Sequence, residues 1–394
     1  MYKKRSRIIN IYIALWCLYY LVNIFLTPGG IISKVVFATL FALSIFYTFI
    51  VITKYYNSPY IRALNFLILS FSVYGFLLII GSEVFVTRSG DVLKNTNYLK
   101  SIYTSLLPIN VFFYFSQEGR LTNKSLKRWI ILLVLVATAQ YFDAERKALL
   151  EEAVFGNSSD EITNNGGYYI LALLPLLVFY EKRIFTRTIL LLYCYVLMFF
   201  SMKRGVILIS MLCLPVILYQ YYSGVSVRRK VAITLICFVL VLLVLYYLDS
   251  YINESDYFNR RVQSTLEGSS SGRDTIYTFL WNKFTNRFDF FNVFFGIGAY
   301  GTIKLYGQYA HNDWLEILIN QGVLGVIIYL YYWVALVIEW KRIDKKSIHY
   351  LSVKLFVIIF FLQTLFSMSY NDIPFYASCA LGYCLGRSRK PQGC

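Results

Sequence analysis

The sequence predicts an all-α polytopic integral membrane protein, and both its composition and its apolar patterning support this fold class. Hydrophobic residues make up 58% of the 394 residues and charged residues only 15%, whereas soluble domains carry about 25% charged residues. The mean hydropathy is +0.56. Apolar runs near the roughly 20 residues that a spanning helix needs recur along the whole chain. These observations exclude a soluble globular protein.

The apolar runs predict about twelve transmembrane helices within a single transmembrane domain, residues 1–394. We place the spans near residues 8–26, 31–53, 63–81, 101–117, 129–142, 168–180, 188–202, 205–222, 231–248, 313–340, 350–370 and 375–386. The basic start, YKKRSR, leads into the first run without a small-residue cleavage site, so we expect no cleavable signal peptide.

The distribution of positive charge orients these spans, because short cytoplasmic loops are enriched in Lys and Arg. With the N-terminus inside, most of the 38 Lys and Arg residues fall in predicted cytoplasmic segments, and both termini are predicted to be cytoplasmic. The net charge of +17 then follows from topology, and nucleic acid is not an expected partner. Residues 249–312 become a large external loop between spans 9 and 10.

The seven cysteines predict neither a disulfide nor a metal site. Six lie within predicted spans, and Cys394 ends the cytoplasmic tail. No CxxC or Cys/His spacing is present, so we expect no metal and no cofactor.

The external loop carries cations against the positive-inside bias, among them Arg260, Arg261 and Arg273. Long loops tolerate such charge, and a solvated surface is the interpretation we adopt for Lys283, Arg287 and Lys304. Arg273 follows small residues in EGSSSGRDTIY, which let the backbone pass close to a ligand. A functional role is therefore favoured for Arg273.

A second group of cations lies in FFSMKRGVIL, where Lys203 and Arg204 separate two apolar runs with almost no loop. A charge near membrane depth indicates a functional site by default. The alternative is snorkelling to the headgroups, which we favour for Lys203, whereas Arg204 is predicted to be functional.

The stretch GIGAYG, residues 296–301, fits the G-x-G-x-x-G dinucleotide pattern but lacks the βαβ context that such a site needs. We interpret its glycines as a tight loop that returns the chain to the membrane. The preceding FDFFNVFF is aromatic enough to lie in the membrane interface.

His311, one of only two histidines, stands just before the apolar run in YAHNDWLEILINQGVLG. Asp313 and Glu316 have the spacing of a capping box with Asp313 as the N-cap, which predicts a helix that starts outside at Asp313. The helix N-terminus should lower the pKa of His311 and the two carboxylates should raise it. His311 is thus a candidate general base near neutral pH. The alternative is a histidine that only caps the start of the helix.

These motifs together resemble the O-antigen ligase/polymerase family. The family pattern is His-Asn, nine residues, then Gly-x-x-Gly, and His311-Asn312 with Gly322 and Gly325 satisfies it. The same glycines are expected to let a neighbouring helix approach closely. SMKRG, SGRDTIY and FFGIGAYG match further family segments in order. Lys203 is inserted where the family has Ser directly before Arg, so either Lys203 or Arg204 can make the expected contact.

The resemblance implies a metal-independent glycosyltransferase of GT-C-like class, multi-pass in the bacterial inner membrane with its site facing the periplasm. Its donor and acceptor would be undecaprenyl-diphosphate-linked glycans, and membrane lipids and a chain-length regulator are further implied partners. His311 would be the catalytic base, and Arg204 and Arg273 would hold the diphosphate. Secondary substrate-binding roles fall to Asn312, Glu316, Arg260, Arg261 and Lys203.

Three activities remain open. The aromatic-rich, specialised loops favour a polymerase of O-antigen or capsule repeat units. A ligase that transfers the lipid-linked glycan to lipid A-core shares the same motif. A non-enzymatic flippase or transporter is the third, although the polar groups gather at one face and no internal repeat is visible.

Overall fold

A computed structural model describes residues 2–155 except 27, 89 and 91, and residues 164–180, 184–201, 203–223 and 272–388. Between 223 and 272 it describes only residues 226–228, 231, 235 and 246. The predicted ninth span and most of the predicted external loop, with Arg260 and Arg261, therefore lie outside the described residues.

The described chain is almost entirely helical. The first nine helices are α1 Tyr2–Phe25, α2 Ile31–Tyr55, α3 Pro59–Gly81, α4 Asn95–Gln117, α5 Asn123–Phe155, α6 Gly166–Leu171, α7 Leu174–Leu177, α8 Ile184–Phe200 and α9 Arg204–Ser223. The other six are α10 Arg273–Arg287, α11 Phe290–Phe295, α12 Gly301–Tyr306, α13 Asp313–Lys341, α14 Ile348–Phe366 and α15 Phe375–Ser388.

One small hairpin departs from the predicted all-α class. Strands β1 (Phe85–Val86) and β2 (Val92–Leu93) pair antiparallel between the predicted spans 63–81 and 101–117. Valines favour extended backbone, and Gly90, at φ +89°, adopts the left-handed turn conformation that glycine readily allows.

Six helices are long and apolar enough to cross a membrane: residues 7–25, α2, α3, residues 123–150 of α5, α13 and α14. Three shorter apolar helical stretches cover residues 166–180, 185–200 and 204–220. The chain is thus a polytopic membrane protein, as predicted. The number of twelve spans and the cytoplasmic position of the termini stay predictions.

The ends of two predicted spans are wrong. α5 continues past residue 142 to Phe155 because its later residues, DAERKALLEEA, are good helix formers and because Asp143 pairs with Arg146 and Lys147 one turn on. α14 ends at Phe366 instead of 370. Residues 367–374 form a loop, which we call the 367–374 loop.

The packed centre of the bundle is built on α4 and α15. Residues 375–386 of α15 are all buried, and Ser378 Oγ donates to the carbonyl of Ser105 at 2.9 Å. At Gly382 a Cβ atom would collide with the carbonyl of Ile109. This close approach lets a helix of 14 residues, shorter than a full span, lie wholly inside the bundle.

Candidate functional site

His311 lies at the end of the bundle where α13 begins, and its backbone is unusual. Its φ is +53°, in the left-handed region, and its side chain is exposed. A residue other than glycine held there costs about 1–3 kcal/mol, and such strain clusters at functional sites. The segment around His311 therefore holds the histidine in a conformation that it would not adopt by itself.

The N-cap of α13 is Asn312, so the predicted capping box with Asp313 as the cap is wrong by one residue. Asn312 Oδ1 accepts a hydrogen bond from the backbone N–H of Leu315 at 3.1 Å. The amide oxygen satisfies a donor that the first helical turn leaves unpaired. Asn312 thereby fixes where the helix begins, one residue after His311.

Asp313 is released from capping and is fully buried. Its Oδ1 accepts from the backbone N–H of Ser369 at 2.8 Å, and its Oδ2 accepts from the N–H of Tyr370 at 3.2 Å. The hydroxyl of Tyr329 also donates to Oδ2, at 2.6 Å. Asp313 therefore binds the 367–374 loop to the start of α13.

Glu316 is also fully buried and supports the segment that leads into His311. Its carboxylate accepts from Thr302 Oγ1 at 2.6 Å, from the backbone N–H of Ala310 at 2.8 Å and from Asn320 Nδ2 at 3.0 Å. Because Ala310 directly precedes His311, this carboxylate positions the histidine through the backbone.

Arg273 is the first residue of α10 and follows Gly272, which is left-handed at φ +74°. Its Nη1 donates to the carbonyl of Phe366 at 2.9 Å. One turn further, the hydroxyl of Tyr277 lies 3.4 Å from the carbonyl of His311. Residues four apart share one face of a helix, so this face of α10 is turned toward His311.

Cations from two separate segments act on His311. Desolvation of the imidazole by the surrounding protein lowers the pKa of His311 to about 4, and the charges of Arg273 and Lys203 act in the same direction. Of the two cations in SMKRG, it is Lys203 whose charge reaches the imidazole. Arg204 begins α9 beside it and is partly buried. The imidazole is therefore neutral at neutral pH, as a proton acceptor must be.

The sequence gives little sign that Tyr168 belongs to this region. A Cβ atom at Gly205 would collide with its hydroxyl, and Tyr168 interacts electrostatically with Arg273. A Cβ atom at Gly167 would likewise collide with Ser201. The glycine and tyrosine pairs of NNGGYY, residues 164–169, are the only signal of this packing against the SMKRG turn.

α13 is broken at Gly322, where φ is +68° and ψ −165°. The break frees the carbonyls of Ile319 and Asn320, which accept instead from the backbone N–H groups of Ile297 and Gly298, both at 3.0 Å. A Cβ atom at Gly322 would collide with the backbone of Phe294. The predicted close approach is thus made by residues 294–298, and it includes the tight loop expected of GIGAYG.

The close approach of a neighbouring helix at Gly325 stays a prediction. The three atoms nearest to a Cβ at this position belong to Gln321 and Ile317 of the same helix. The exposed phenylalanines of α11, such as Phe290 and Phe291, suit an interfacial position, which stays a prediction. Lys304 pairs with Glu83 at 3.1 Å with both side chains about half exposed, as expected of a surface cation.

Among the residues that the structure describes, no group of three His, Cys, Asp or Glu side chains could hold a metal ion. The groups brought together at this end of the bundle are instead an imidazole, two or more cations and buried carboxylates that position backbone. Such an arrangement can bind an anionic group and accept a proton.

A bundle of apolar helices with this polar site at one end defines a polytopic membrane protein with a candidate active site. Residues 189–330 match the family model described as O-antigen ligase. The match runs from α8 into α13 and contains Lys203, Arg204, Arg273, His311, Asn312 and Glu316. It confirms the predicted resemblance to the O-antigen ligase/polymerase family. No curated protein matches the chain.

Proposed function

We propose that the protein is a glycosyltransferase that polymerises undecaprenyl-diphosphate-linked repeat units on the outer face of the cytoplasmic membrane. The observation that carries this proposal is that α10, which begins at Arg273, contacts the backbone of His311 through Tyr277, and that the charges of Arg273 and Lys203 act on the imidazole. A base beside cations is what transfer from a diphosphate leaving group requires.

In the proposed reaction, His311 takes the proton of an acceptor sugar hydroxyl as its oxygen attacks the anomeric carbon of the donor glycan. A new C–O bond forms, and the bond from the anomeric carbon to the diphosphate oxygen breaks. Undecaprenyl diphosphate leaves with that electron pair. Arg273 and Arg204 hold the diphosphate through guanidinium forks, which match phosphate oxygens, and Lys203 adds a point charge.

The same cations couple donor binding to the base. Desolvation is the largest cause of the lowered pKa of His311, and the charges of Arg273 and Lys203 lower that pKa further. A bound diphosphate offsets the charge of these cations, so its binding removes their part of the lowering and raises the pKa of His311. The imidazole becomes a stronger base when the donor is in place, which favours proton transfer only in the complete complex.

An apolar cavity supports a lipid-linked donor. It has a volume of about 700 Å³ and lies between α3 and α11, and its lining includes Phe66, Leu69, Val73, Phe291 and Leu324. These five side chains are exposed, and the cavity borders Gly296 and Gly298 of the tight loop. An isoprenoid chain could lie there with its diphosphate directed toward the polar site.

The test uses purified protein in lipid nanodiscs with lipid-linked repeat units as both donor and acceptor. Wild-type protein should lengthen the glycan, and His311→Ala should abolish lengthening, since general-base catalysis contributes roughly 10²–10⁴-fold. His349→Gln is the matched control, because His349 packs against Phe179 and Tyr383 at the start of α14. Polymer of normal length from His311→Ala would overturn the proposal.

A ligase is the second candidate, favoured by the description of the matching family. The same base would then act on a hydroxyl of lipid A-core. The product distinguishes the two functions in cells. Loss of a polymerase leaves single repeats attached to the core, whereas loss of a ligase leaves long glycan on the lipid carrier.

A further inference from the structure

A second polar region borders the 367–374 loop, which also binds Asp313. Two adjoining cavities of about 330 and 500 Å³ lie among α1, α4, α5 and α6. They share Tyr19, Tyr20, Lys100, Gln140 and Tyr169, and Asp372 of the loop lines the smaller one. Ser369 and Tyr370 of the same loop bind Asp313, so one short loop contacts both these cavities and the start of the helix that follows His311.

The wall of the cavities combines rigid aromatic rings with amides. Tyr20 stacks on Trp16 and Phe375, with ring centroids 5.9 and 5.5 Å away, so its ring is held in place. Tyrosine rings present an apolar face with a polar tip. Amide side chains such as Gln140 both donate and accept. The C–H faces and hydroxyls of a sugar match this combination.

Gln140 carries an acceptor that the protein leaves unused. The residue is 7% exposed, and its Oε1 has no hydrogen-bond partner among the described residues. A buried polar atom without a partner costs about 1–3 kcal/mol, and native proteins rarely leave one so. A ligand hydroxyl that donates to Gln140 would offset that cost.

Both lysines that line the cavities have a partner in the protein. Lys147 pairs with Asp143 at 2.6 Å, and the ammonium of Lys100 lies over the ring of Tyr19, 5.7 Å from its centroid. Asp372 is exposed to the cavity, and the surrounding protein raises the pKa of its carboxyl to about 7, so near neutral pH it can donate or accept. Among the described lining residues there is no arginine, so a diphosphate is a poor match.

We infer that these cavities bind the saccharide of the acceptor substrate, with the tyrosines against its rings and Gln140 on a hydroxyl. This inference rests on the proposed glycan transfer. The cations beside His311 hold the donor diphosphate on one side of the 367–374 loop, and the acceptor sugars occupy the other side. The end of the acceptor then reaches His311 past the loop that Asp313 anchors.

The experiment measures binding of the free oligosaccharide repeat, released from its lipid carrier by mild acid, to the full-length protein in nanodiscs. Gln140→Leu keeps the volume and suits an apolar helix, and it should weaken binding about tenfold, the effect of one lost hydrogen bond. Asp372→Asn, in the loop, should weaken it as well. Gln117→Leu, at a partly buried amide that ends α4 and does not line the cavities, is the control and should bind as wild type.

His311→Ala separates this inference from the proposed function. It should bind the oligosaccharide normally yet form no polymer. Unchanged binding by both Gln140→Leu and Asp372→Asn would overturn the inference while leaving the function intact. Displacement of the oligosaccharide by inorganic pyrophosphate would also overturn it, because the cavities would then hold the diphosphate. Polymer formation by His311→Ala would refute the function instead.

Discussion

Asp313 Oδ1 accepts a hydrogen bond from the backbone N–H of Ser369 at 2.8 Å. The two residues are far apart in sequence, and this bond joins the start of α13 to the 367–374 loop. The carbonyl of Phe366, just before that loop, accepts from Arg273. The buried carboxylate of Asp313 thus joins the start of α13 to the 367–374 loop, and the bond from Arg273 attaches α10 just before that loop.

We predict that Asp313→Asn lowers both activity and stability. An asparagine retains one acceptor oxygen, so at least one of three donors loses its partner, at a cost of about 1–3 kcal/mol for a buried group. Thermal unfolding in nanodiscs and the rate of glycan lengthening measure the two effects. Asp344→Asn is the control, because Asp344 is exposed and its side chain accepts from the N–H of Lys346, a bond that the amide oxygen of asparagine can keep. Equal losses in both variants would contradict the role given to Asp313.

Two substitutions of His311 should separate the effect of losing its imidazole from the effect of its strained backbone. His311→Gly relieves the left-handed strain, whereas His311→Ala retains it, so the glycine variant should be more stable by about 1 kcal/mol. Both variants lack the imidazole and should be inactive. Thermal unfolding of the two proteins compares their stabilities. An alanine variant as stable as the glycine variant would argue against a strained backbone.

The pH dependence of the reaction should show the lowered pKa of His311. A base with a pKa of about 4 is neutral and competent above that pH and loses competence as pH falls through it. The acid limb of kcat/KM, which describes the free enzyme, should therefore lie near pH 4. The acid limb of kcat should lie at higher pH because the bound diphosphate raises the pKa. Coincident limbs near pH 6.5 would contradict the coupling.

Removing the charge of Lys203 should raise the pKa of His311, since that charge lowers it. In Lys203→Met the acid limb of kcat/KM should move to higher pH, with weaker donor binding. Lys304→Met provides the control, because Lys304 is a half-exposed surface cation paired with Glu83. If the limb stays in place in Lys203→Met, Lys203 has no influence on the base and only snorkels.

Gly322→Ala should destabilise the protein by about 2 kcal/mol or more. The backbone there is left-handed, and a Cβ atom would collide with the backbone of Phe294, which cannot move aside as a flexible side chain could. Gly81→Ala is a suitable control, because a Cβ at Gly81 meets nothing within 4 Å. Thermal unfolding measures both variants, and similar midpoints would exclude the proposed strain.

Composition and periodicity were enough to predict a polytopic helical bundle, and the His311 motif was enough to place a helix start. What local pattern could not supply were contacts between distant segments. Asn312 and not Asp313 is the N-cap because the backbone N–H groups of Ser369 and Tyr370 donate to the carboxylate of Asp313. Gly322 lies inside an apolar run, where packing and a helix break look alike in sequence. Tyr168 carries no motif of its own.

The helix break gives the site a length requirement. Asn312 fixes one end of the segment Asp313–Gln321, and the contact of Gly322 with Phe294 fixes the other. Each residue turns an α-helix by about 100°. One residue inserted or deleted between these two fixed points would swing His311 around the axis, away from the cations. The number of residues between Asn312 and Gly322, which is nine, is therefore constrained. The identities of these residues can vary more freely than their number.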